Sequence, residues 1–182
     1  LVDITSRSDQ GGRRYTKDFF FMEPGGGLVG TASDYARFCQ MLLNGGELDG
    51  NVIVSRKTLE WMTINHLADD MDMATMAKNA SGYAETPQEG LGFGLGFSVV
   101  LDPAKSKQLN SAGTFSWGGA ASTLFWCDPK EDLFCVFTTQ LMFNDPQTMP
   151  LRAWLGQFVY GSLRGDLDLE RSRIRPLVRS RL

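Results

Sequence analysis

The fold of this chain is decided by one stretch, Ser111-Ala-Gly-Thr-Phe-Ser-Trp-Gly-Gly-Ala-Ala-Ser-Thr-Leu-Phe-Trp-Cys-Asp-Pro129. It begins with small and polar residues, passes through Trp117-Gly118-Gly119 and continues as an apolar run. A second apolar run, Leu133 to Thr139, follows the turn-forming residues Asp128 to Asp132. Two apolar runs joined by a short turn predict an antiparallel β-hairpin.

The front of the first strand is unusual, because Gly118 and Gly119 stand directly behind Trp117. Glycine has no side chain to pack and loses much conformational entropy when it is ordered in a strand. Strand glycines often mark a place where something approaches the backbone closely. We therefore expect the start of this strand to form one wall of an active site, with most of the chemistry outside this chain.

Composition limits the classes of function. The chain has 182 residues, 42% hydrophobic and 21% charged, which is typical of one globular domain with a real core. The net charge is −3 and no basic run dominates, so nucleic acid is not an expected partner. The exception is the arginine-rich tail from Arg164 to Arg181, which we interpret as a solvated or docking segment. No apolar stretch is long enough to span a bilayer.

Cysteine and histidine do not suggest a metal site. The three cysteines, Cys39, Cys127 and Cys135, are odd in number and lack metal-like spacing, which favours buried reduced thiols over disulfides or zinc. A loop from Asp128 to Asp132 would pair Cys127 with Leu133. His66 is the only histidine and is interpreted as structural.

Two helices are predicted ahead of the hairpin. Thr31 is a good N-cap and Asp34 an acidic third residue for a helix that carries apolar residues at helical spacing. Asn44-Gly45-Gly46 ends it, and Ser55 caps a second helix. The glycines Gly25 to Gly27 lack the Gly-Lys-Ser/Thr of a phosphate loop, so a turn or pocket rim is favoured over a nucleotide site.

The segment 65–90 has no clean hydrophobic period and is long for a structureless connection. We interpret it as a functional flap or lid, or as disordered. Its methionines either line an adaptable apolar site or fill gaps in the core, and we prefer the second reading.

The rest of the chain completes the expected order of elements. Leu91 to Leu101 alternates large and small residues, which predicts one strand with Phe93, Leu95, Phe97, Val99 and Leu101 on one face. A last helix is predicted from Asp145-Pro146 and would cover one face of the sheet. The predicted class is α+β, with an antiparallel sheet covered by helices.

Together these pieces resemble the C-terminal half of the serine β-lactamase-like superfamily, in particular the class C β-lactamase-like esterases known as family VIII carboxylesterases. The resemblance runs from about Gly25 to about Leu163. It divides the chain into a connecting segment (1–24), the C-terminal part of a β-lactamase-like domain (25–163) and a basic tail (164–182). The residues that carry it are Gly26 to Phe38, Met41 to Gly46, Gly92 to Phe97, Trp117-Gly118-Gly119 and Leu124 to Pro129.

The resemblance implies roles for four residues. Trp117-Gly118-Gly119 would stand where the superfamily carries its third active-site motif, Lys-Thr-Gly or His-Thr-Gly on an edge strand, and would bind substrate. The backbone N–H of Ala120 would be one donor of the oxyanion hole, which stabilises the tetrahedral intermediate. The first two motifs, Ser-x-x-Lys and Tyr-x-Asn or Tyr-x-Ser, are not found at a fitting place in the chain.

The expected function is therefore a partial serine hydrolase that forms an acyl-enzyme with a small ester or amide. A missing N-terminal half or a partner chain would supply the nucleophile, and no metal or organic cofactor is implied. The chain begins at Leu1 in a polar run, which favours a piece of a longer protein. Trp117 at the position of a cation favours esters over carboxylated β-lactams. The alternatives are a non-catalytic binding or assembly module and a self-associating chain. The compartment stays open.

Overall fold

The computed structural model describes residues 30–79, 89–142 and 149–164. The connecting segment 1–24, the glycines Gly25 to Gly27, residues 80–88 of the flap and the tail beyond Arg164 lie outside the described residues. In chain order the elements are α1 (Ala32–Leu43), β1 (Glu47–Leu48), β2 (Asn51–Val52), α2 (Arg56–Met62), a 3-10 turn (Ala68–Asp70), α3 (Met73–Asn79), β3 (Leu91–Phe93), β4 (Ser98–Val100), α4 (Pro103–Ser106), β5 (Phe115–Gly118), β6 (Leu124–Asp128), β7 (Leu133–Phe137) and α5 (Leu151–Gly161).

The main sheet has the order β3-β4-β5-β6-β7, and each strand pairs antiparallel with the next one in the chain. This confirms the α+β class with an antiparallel sheet. The helices α1 and α5 cover opposite faces. Cys127 lies against Cys39 of α1, whereas the preceding residue, Trp126, stacks on Tyr160 of α5. Neighbouring residues of a strand point to opposite faces, so the two helices sandwich β6.

The first helix begins and ends where its sequence predicts. Thr31 and Asp34 form a reciprocal capping box, in which each side chain accepts the backbone N–H of the other residue. After α1, Gly45 and Gly46 adopt φ values of 77° and 100°. A Cβ on Gly46 would lie 1.9 Å from the carbonyl oxygen of Val54, so only glycine fits this turn. Ser55 caps α2, as predicted.

The core lies between α1 and the sheet. Phe115 is its largest fully buried side chain, and Phe97 and Phe125 pack nearby with ring centroids 5.2 and 6.1 Å apart. These rings come from three adjacent strands, so burying them fixes the register of the sheet. The full set of buried residues is Cys39, Met41, Leu42, Leu59, Phe97, Val99, Phe115, Phe125 and Cys127.

The prediction of one strand over Leu91 to Leu101 is wrong, because the chain reverses and forms β3 and β4. Gly94 N–H donates to the carbonyl of Phe97 at 2.8 Å, and Gly96 has a φ of 97°. A Cβ on Gly94 would lie 2.1 Å from the carbonyl oxygen of Met62, so the turn also presses against the end of α2. The alternation of large and small residues continues through the turn, which concealed it from the sequence pattern.

The predicted register of the following hairpin is wrong by one residue. Asp128 pairs with Leu133, and Cys127 pairs with Phe134. Asp128 therefore belongs to β6 rather than to the loop, since its buried carboxylate accepts the turn amides of Lys130 and Glu131.

The last helix begins at Leu151, after Pro150, rather than at Asp145-Pro146, and residues 143–148 lie outside the described ones. It covers one face of the sheet, as expected. Pro150 is compatible with the start of a helix because its missing N–H would have no intrahelical acceptor there.

The described part of the predicted flap, residues 65–79, carries the 3-10 turn and α3. The side chain of Asn65 accepts from Phe93 N–H at 3.0 Å and donates to the carbonyl of Met71, which ties the segment to the free edge of β3. Met73 is only 5% exposed and fills a second small core beside Leu91, which confirms the core interpretation for this methionine.

Asp72 fastens the start of α3 to the start of β3. Its carboxylate accepts the N–H of Thr75 at 2.8 Å and that of Gly90 at 2.9 Å. The hydrogen bond from the Thr75 side chain and these amides lower the pKa of Asp72 from 3.8 to about 2.

Candidate functional site

The two strands β4 and β5 separate at the predicted motif. Ser98 pairs with Ser116, and this is the last pair toward the motif, because the chain turns away after Phe97. We call the Ser98–Ser116 pair the fork. Beyond it, Trp117 and Gly118 pair with β6 alone. β5 is therefore an inner strand that becomes an edge strand at Trp117. We call Trp117 to Ala120 the open edge.

Alternation along β5 sets the direction of its backbone groups. Gly119 N–H donates to the carbonyl of Thr123 at 3.0 Å, on the β6 side of the strand. In an antiparallel strand, successive residues direct their N–H and C=O groups to opposite sides. The N–H and C=O of Gly118 therefore point away from β6, to the side that β4 has left. A ligand with an extended polar backbone would find hydrogen-bonding groups there.

Ala120 follows directly in an exposed turn. Ser122 N–H donates to the carbonyl of Gly119 at 2.9 Å, so Gly119 to Ser122 form a β-turn with Ala120 as its second residue. Within the described ranges, the N–H of Ala120 has no hydrogen-bond acceptor. It is a free donor at the end of the open edge.

Trp117 is half-buried and has a packing role of its own. Its ring meets Phe93 edge to face, with centroids 5.0 Å apart and planes at 78°. It also contacts both buried clusters of the domain. Trp117 thus fixes the outer hairpin of β3 and β4 against the open edge, on the face that α1 covers.

The two glycines behind Trp117 also have a local reason. A Cβ on Gly119 would lie 2.9 Å from the hydroxyl oxygen of Thr123. A Cβ on Gly118 would lie 2.9 Å from the carbonyl oxygen of Thr123 and 3.1 Å from Nη2 of Arg152. The close approach that we inferred from the glycines therefore comes at least in part from this chain itself.

A polar cluster supports β5 from the α5 side. Arg152 Nη1 donates to the hydroxyl oxygen of Ser116 at 2.9 Å. The hydroxyl of Ser98 lies 2.9 Å from both the hydroxyl and the carbonyl oxygen of Ser116. These three side chains meet at the fork.

Asp128 forms a second polar cluster at the far end of the sheet. Its fully buried carboxylate accepts from Ser111 N–H at 3.1 Å and from the hydroxyl of Tyr160 at 3.0 Å. Burial and the adjacent carboxylate raise the pKa of Tyr160, so its hydroxyl stays protonated and donates. Asp128 thereby joins the sheet, the segment before β5 and α5.

A cavity of about 310 Å³ lies beside this second cluster, between α5 and the loop that follows α4. It is at the opposite end of β5 from the open edge, so it does not belong to the predicted site. Its lining residues are Lys107, Gln108, Leu109, Ala153, Gly156, Gln157 and Tyr160.

The remaining candidate groups serve structure in the part of the chain that the structure describes. His66 donates through Nε2 to the carbonyl of Trp61 at 2.7 Å, while its own N–H binds the carbonyl of Phe93. All three cysteines are free, and contact with Cys39 together with burial raises the pKa of the Cys127 thiol. No group of three potential metal ligands occurs among the described residues. No described helix is both long and apolar enough to cross a bilayer.

Sequence reasoning missed the polar supports of β5. Arg152 is the only charged residue in the sequence of α5, LRAWLGQFVYG, which is a signal that could have singled it out. Asp128 precedes Pro129 and reads as a turn residue, so nothing in the local pattern indicates its burial.

Solved structures with a similar fold are enzymes of acyl chemistry by title. Simvastatin synthase (LovD) from Aspergillus terreus matches with a TM-score of 0.56 and 19% identity, over 72% of this chain and 34% of that one. EstCE1, described as a hydrolase with promiscuous acyltransferase activity, matches with a TM-score of 0.51 and 26% identity, over 65% of this chain and 27% of that one. Both have the β-lactamase/transpeptidase-like fold, which confirms the predicted architecture.

Two proteins of Mycobacterium tuberculosis are similar in sequence. They are Uncharacterized protein MT1414 of strain CDC 1551 / Oshkosh and Protein Rv1367c of strain ATCC 25618 / H37Rv, each 41% identical over 123 residues. The match covers 66% of this chain and 29% of each relative, so this chain corresponds to about a third of their length.

The family comparison covers most of the chain. The model of the family described as Beta-lactamase matches residues 3–157. This range includes α1, the whole five-stranded sheet and the first half of α5. It confirms the resemblance that the motifs suggested, and the chain belongs to the Beta-lactamase family.

Proposed function

We propose that this chain supplies the open edge, with the Ala120 amide as an oxyanion donor, to a serine hydrolase of small esters. The observation that carries the proposal is the free N–H of Ala120 at the end of an edge that β4 leaves unpaired. A preorganised N–H of this kind stabilises the negative charge that develops on an acyl oxygen in the transition state. The nucleophilic serine and its base come from residues outside this chain.

The titles of the structural relatives support acyl transfer as the reaction class. EstCE1 is described as a hydrolase with promiscuous acyltransferase activity, and LovD as a synthase of simvastatin. In both reaction types an acyl group is carried by a nucleophile and passed to water or to an alcohol. The same edge and amide would serve either outcome.

The proposed substrate class rests on Trp117. An aromatic ring in place of a cation offers an apolar surface and no charge for a substrate carboxylate. We therefore expect short neutral esters to be better substrates than carboxylated β-lactams.

The test is a proline substitution of Ala120 in the full-length polypeptide that carries this chain. Proline is favoured at the second position of a β-turn, so Ala120→Pro removes the N–H while the Gly119–Ser122 turn is kept. Ala120→Ser keeps the N–H and is the matched control. We expect Ala120→Pro to lower kcat for p-nitrophenyl butyrate by roughly 100-fold or more, and Ala120→Ser by less than about threefold.

Two results would contradict the proposal. If folded Ala120→Pro retains the parent's rate, the amide is not an oxyanion donor. If the full-length polypeptide neither hydrolyses the ester nor is labelled by a fluorophosphonate serine probe, it is not a serine hydrolase. A much faster turnover of a carboxylated β-lactam would refute the substrate class alone.

A non-catalytic binding or assembly module is the second candidate. The contacts of Trp117 with Phe93, and those of Gly118 and Gly119 with Thr123, give the motif a packing role that needs no substrate. Absence of labelling by the serine probe, with the fold intact, is the result that would favour this function.

A further inference from the structure

We infer that Arg152 is a positioning residue that holds the fork closed and so fixes the open edge. Its consequence for catalysis rests on the function proposed above, whereas the structural part does not. Arg152 lies on α5, and its sequence separation from Ser116 is 36 residues. Nothing in the β5 sequence itself would keep the end of the strand in place once β4 has turned away.

The hydrogen bonds at the fork form a directed chain. The guanidinium of Arg152 can only donate, so the hydroxyl oxygen of Ser116 accepts from it at 2.9 Å. Ser116 then donates to the hydroxyl oxygen of Ser98, and Ser98 donates to the carbonyl of Ser116, both at 2.9 Å. Each proton is used once. Ser98 is only 4% exposed, so loss of this order would leave polar groups unpaired in a largely dry place.

The guanidinium spans the point where the pairing ends. Nη1 binds Ser116, the last β5 residue paired with β4. Nη2 lies 3.1 Å from the Cβ position of Gly118, the first strand residue whose polar groups point to the open side. Arg152 therefore contacts both sides of the fork from below, on the face opposite Trp117. The ring and the guanidinium enclose this part of β5 between them.

The position of Arg152 in the sequence argues against a merely solvated surface residue. It is half-buried, and every other residue of α5 is uncharged. Taking a guanidinium partly out of water is unfavourable unless its donors are satisfied in a fixed geometry. An apolar side chain would pack α5 on the sheet without that penalty, so the charge is explained by its hydrogen bond at the fork.

A simple docking role for α5 makes a different prediction. If Arg152 only attached the helix, its loss would lower the stability of the whole domain evenly. If it holds the fork, its loss would release the Gly119 N–H, which binds the carbonyl of Thr123, well before distant amides are affected. Amide hydrogen exchange separates these cases.

The experiment measures native-state hydrogen exchange on the 182-residue chain with Arg152→Met, Arg152→Lys and Ser116→Ala. Arg56→Met, at an exposed arginine of α2, is the control. We expect the Gly119 amide to exchange about tenfold faster in Arg152→Met and Ser116→Ala, with α1 amides and the control unchanged. Arg152→Lys should restore part of the protection, and it serves if Arg152→Met does not fold. Equal acceleration in α1 and at Gly119, or none at Gly119, would overturn the inference.

An activity measurement on the full-length polypeptide tests the consequence for catalysis. With p-nitrophenyl butyrate, Arg152→Met should lower kcat about tenfold and leave KM within about threefold, since the open edge is displaced rather than removed. A rise in KM alone would contradict a positioning role. If the parent polypeptide has no hydrolase activity, the proposed function fails, and the exchange result still decides whether Arg152 holds the fork.

Discussion

Removing the buried carboxylate of Asp128 should destabilise the domain more than any other single charge removal at its surface. The carboxylate accepts from Ser111 N–H, from the Tyr160 hydroxyl and from the two turn amides that follow it. We consider Asp128→Ala, which removes all four acceptor contacts, and Asp128→Asn, which keeps the shape and one oxygen.

The magnitude follows from which donors water can reach. The turn amides lie near the surface and can be hydrated, whereas Ser111 N–H and the Tyr160 hydroxyl lose their acceptor in a partly buried place. An unsatisfied buried donor costs about 1–3 kcal/mol, so Asp128→Ala should lower the free energy of unfolding by about 3–5 kcal/mol. In Asp128→Asn the tyrosine hydroxyl can turn and accept, but the amide of Ser111 cannot, so the loss should be about 2 kcal/mol.

The assay is urea denaturation followed by tryptophan fluorescence and far-ultraviolet circular dichroism. Asp70→Asn is the matched control, because Asp70 is an exposed carboxylate, and it should change the free energy of unfolding by less than about 0.5 kcal/mol. The reasoning is refuted if Asp128→Asn is as stable as the parent, or if it is less stable than Asp128→Ala.

Three further predictions concern the fold. Gly94→Ala should destabilise by more than about 2 kcal/mol in urea denaturation, because its Cβ would lie 2.1 Å from the Met62 carbonyl oxygen, whereas Gly156→Ala, with open space in α5, should stabilise by about 0.5–1 kcal/mol; equal effects would contradict this. The stabilisation by Asp72, whose folded pKa is lowered to about 2, is present above its unfolded pKa of 3.8 and is lost as the pH falls from 4 to 2. The difference in unfolding free energy between the parent and Asp72→Asn should therefore be at most about 1 kcal/mol at pH 5 and vanish near pH 2, and a difference that grows toward low pH would refute the sign. In the native chain an aromatic disulfide reagent should modify Cys135, which is half-buried, at least about tenfold faster than the two fully buried cysteines, as peptide mapping would show.

The site could be predicted from sequence only in part. The motif at Trp117 and its place at the start of a hairpin strand were evident, because glycines in an apolar run are a local signal. The roles of Gly118, Gly119 and Ala120 remain predictions. The supports at Ser116 and Arg152 were not evident, since a serine in a strand and an arginine in a helix have no special pattern.

By itself the sequence determined the features whose causes are local. The ends of α1 and the hairpin of β6 and β7 follow from caps, glycines and hydrophobic period, which act over a few residues. Tertiary structure decided where β4 leaves β5, that Asp128 is buried and that Arg152 reaches the fork. These features depend on contacts between residues 17 to 36 positions apart, such as Asp128 with Ser111 and Arg152 with Ser116. The free energy of such contacts depends on packing that brings distant segments together, and no window of sequence contains both partners.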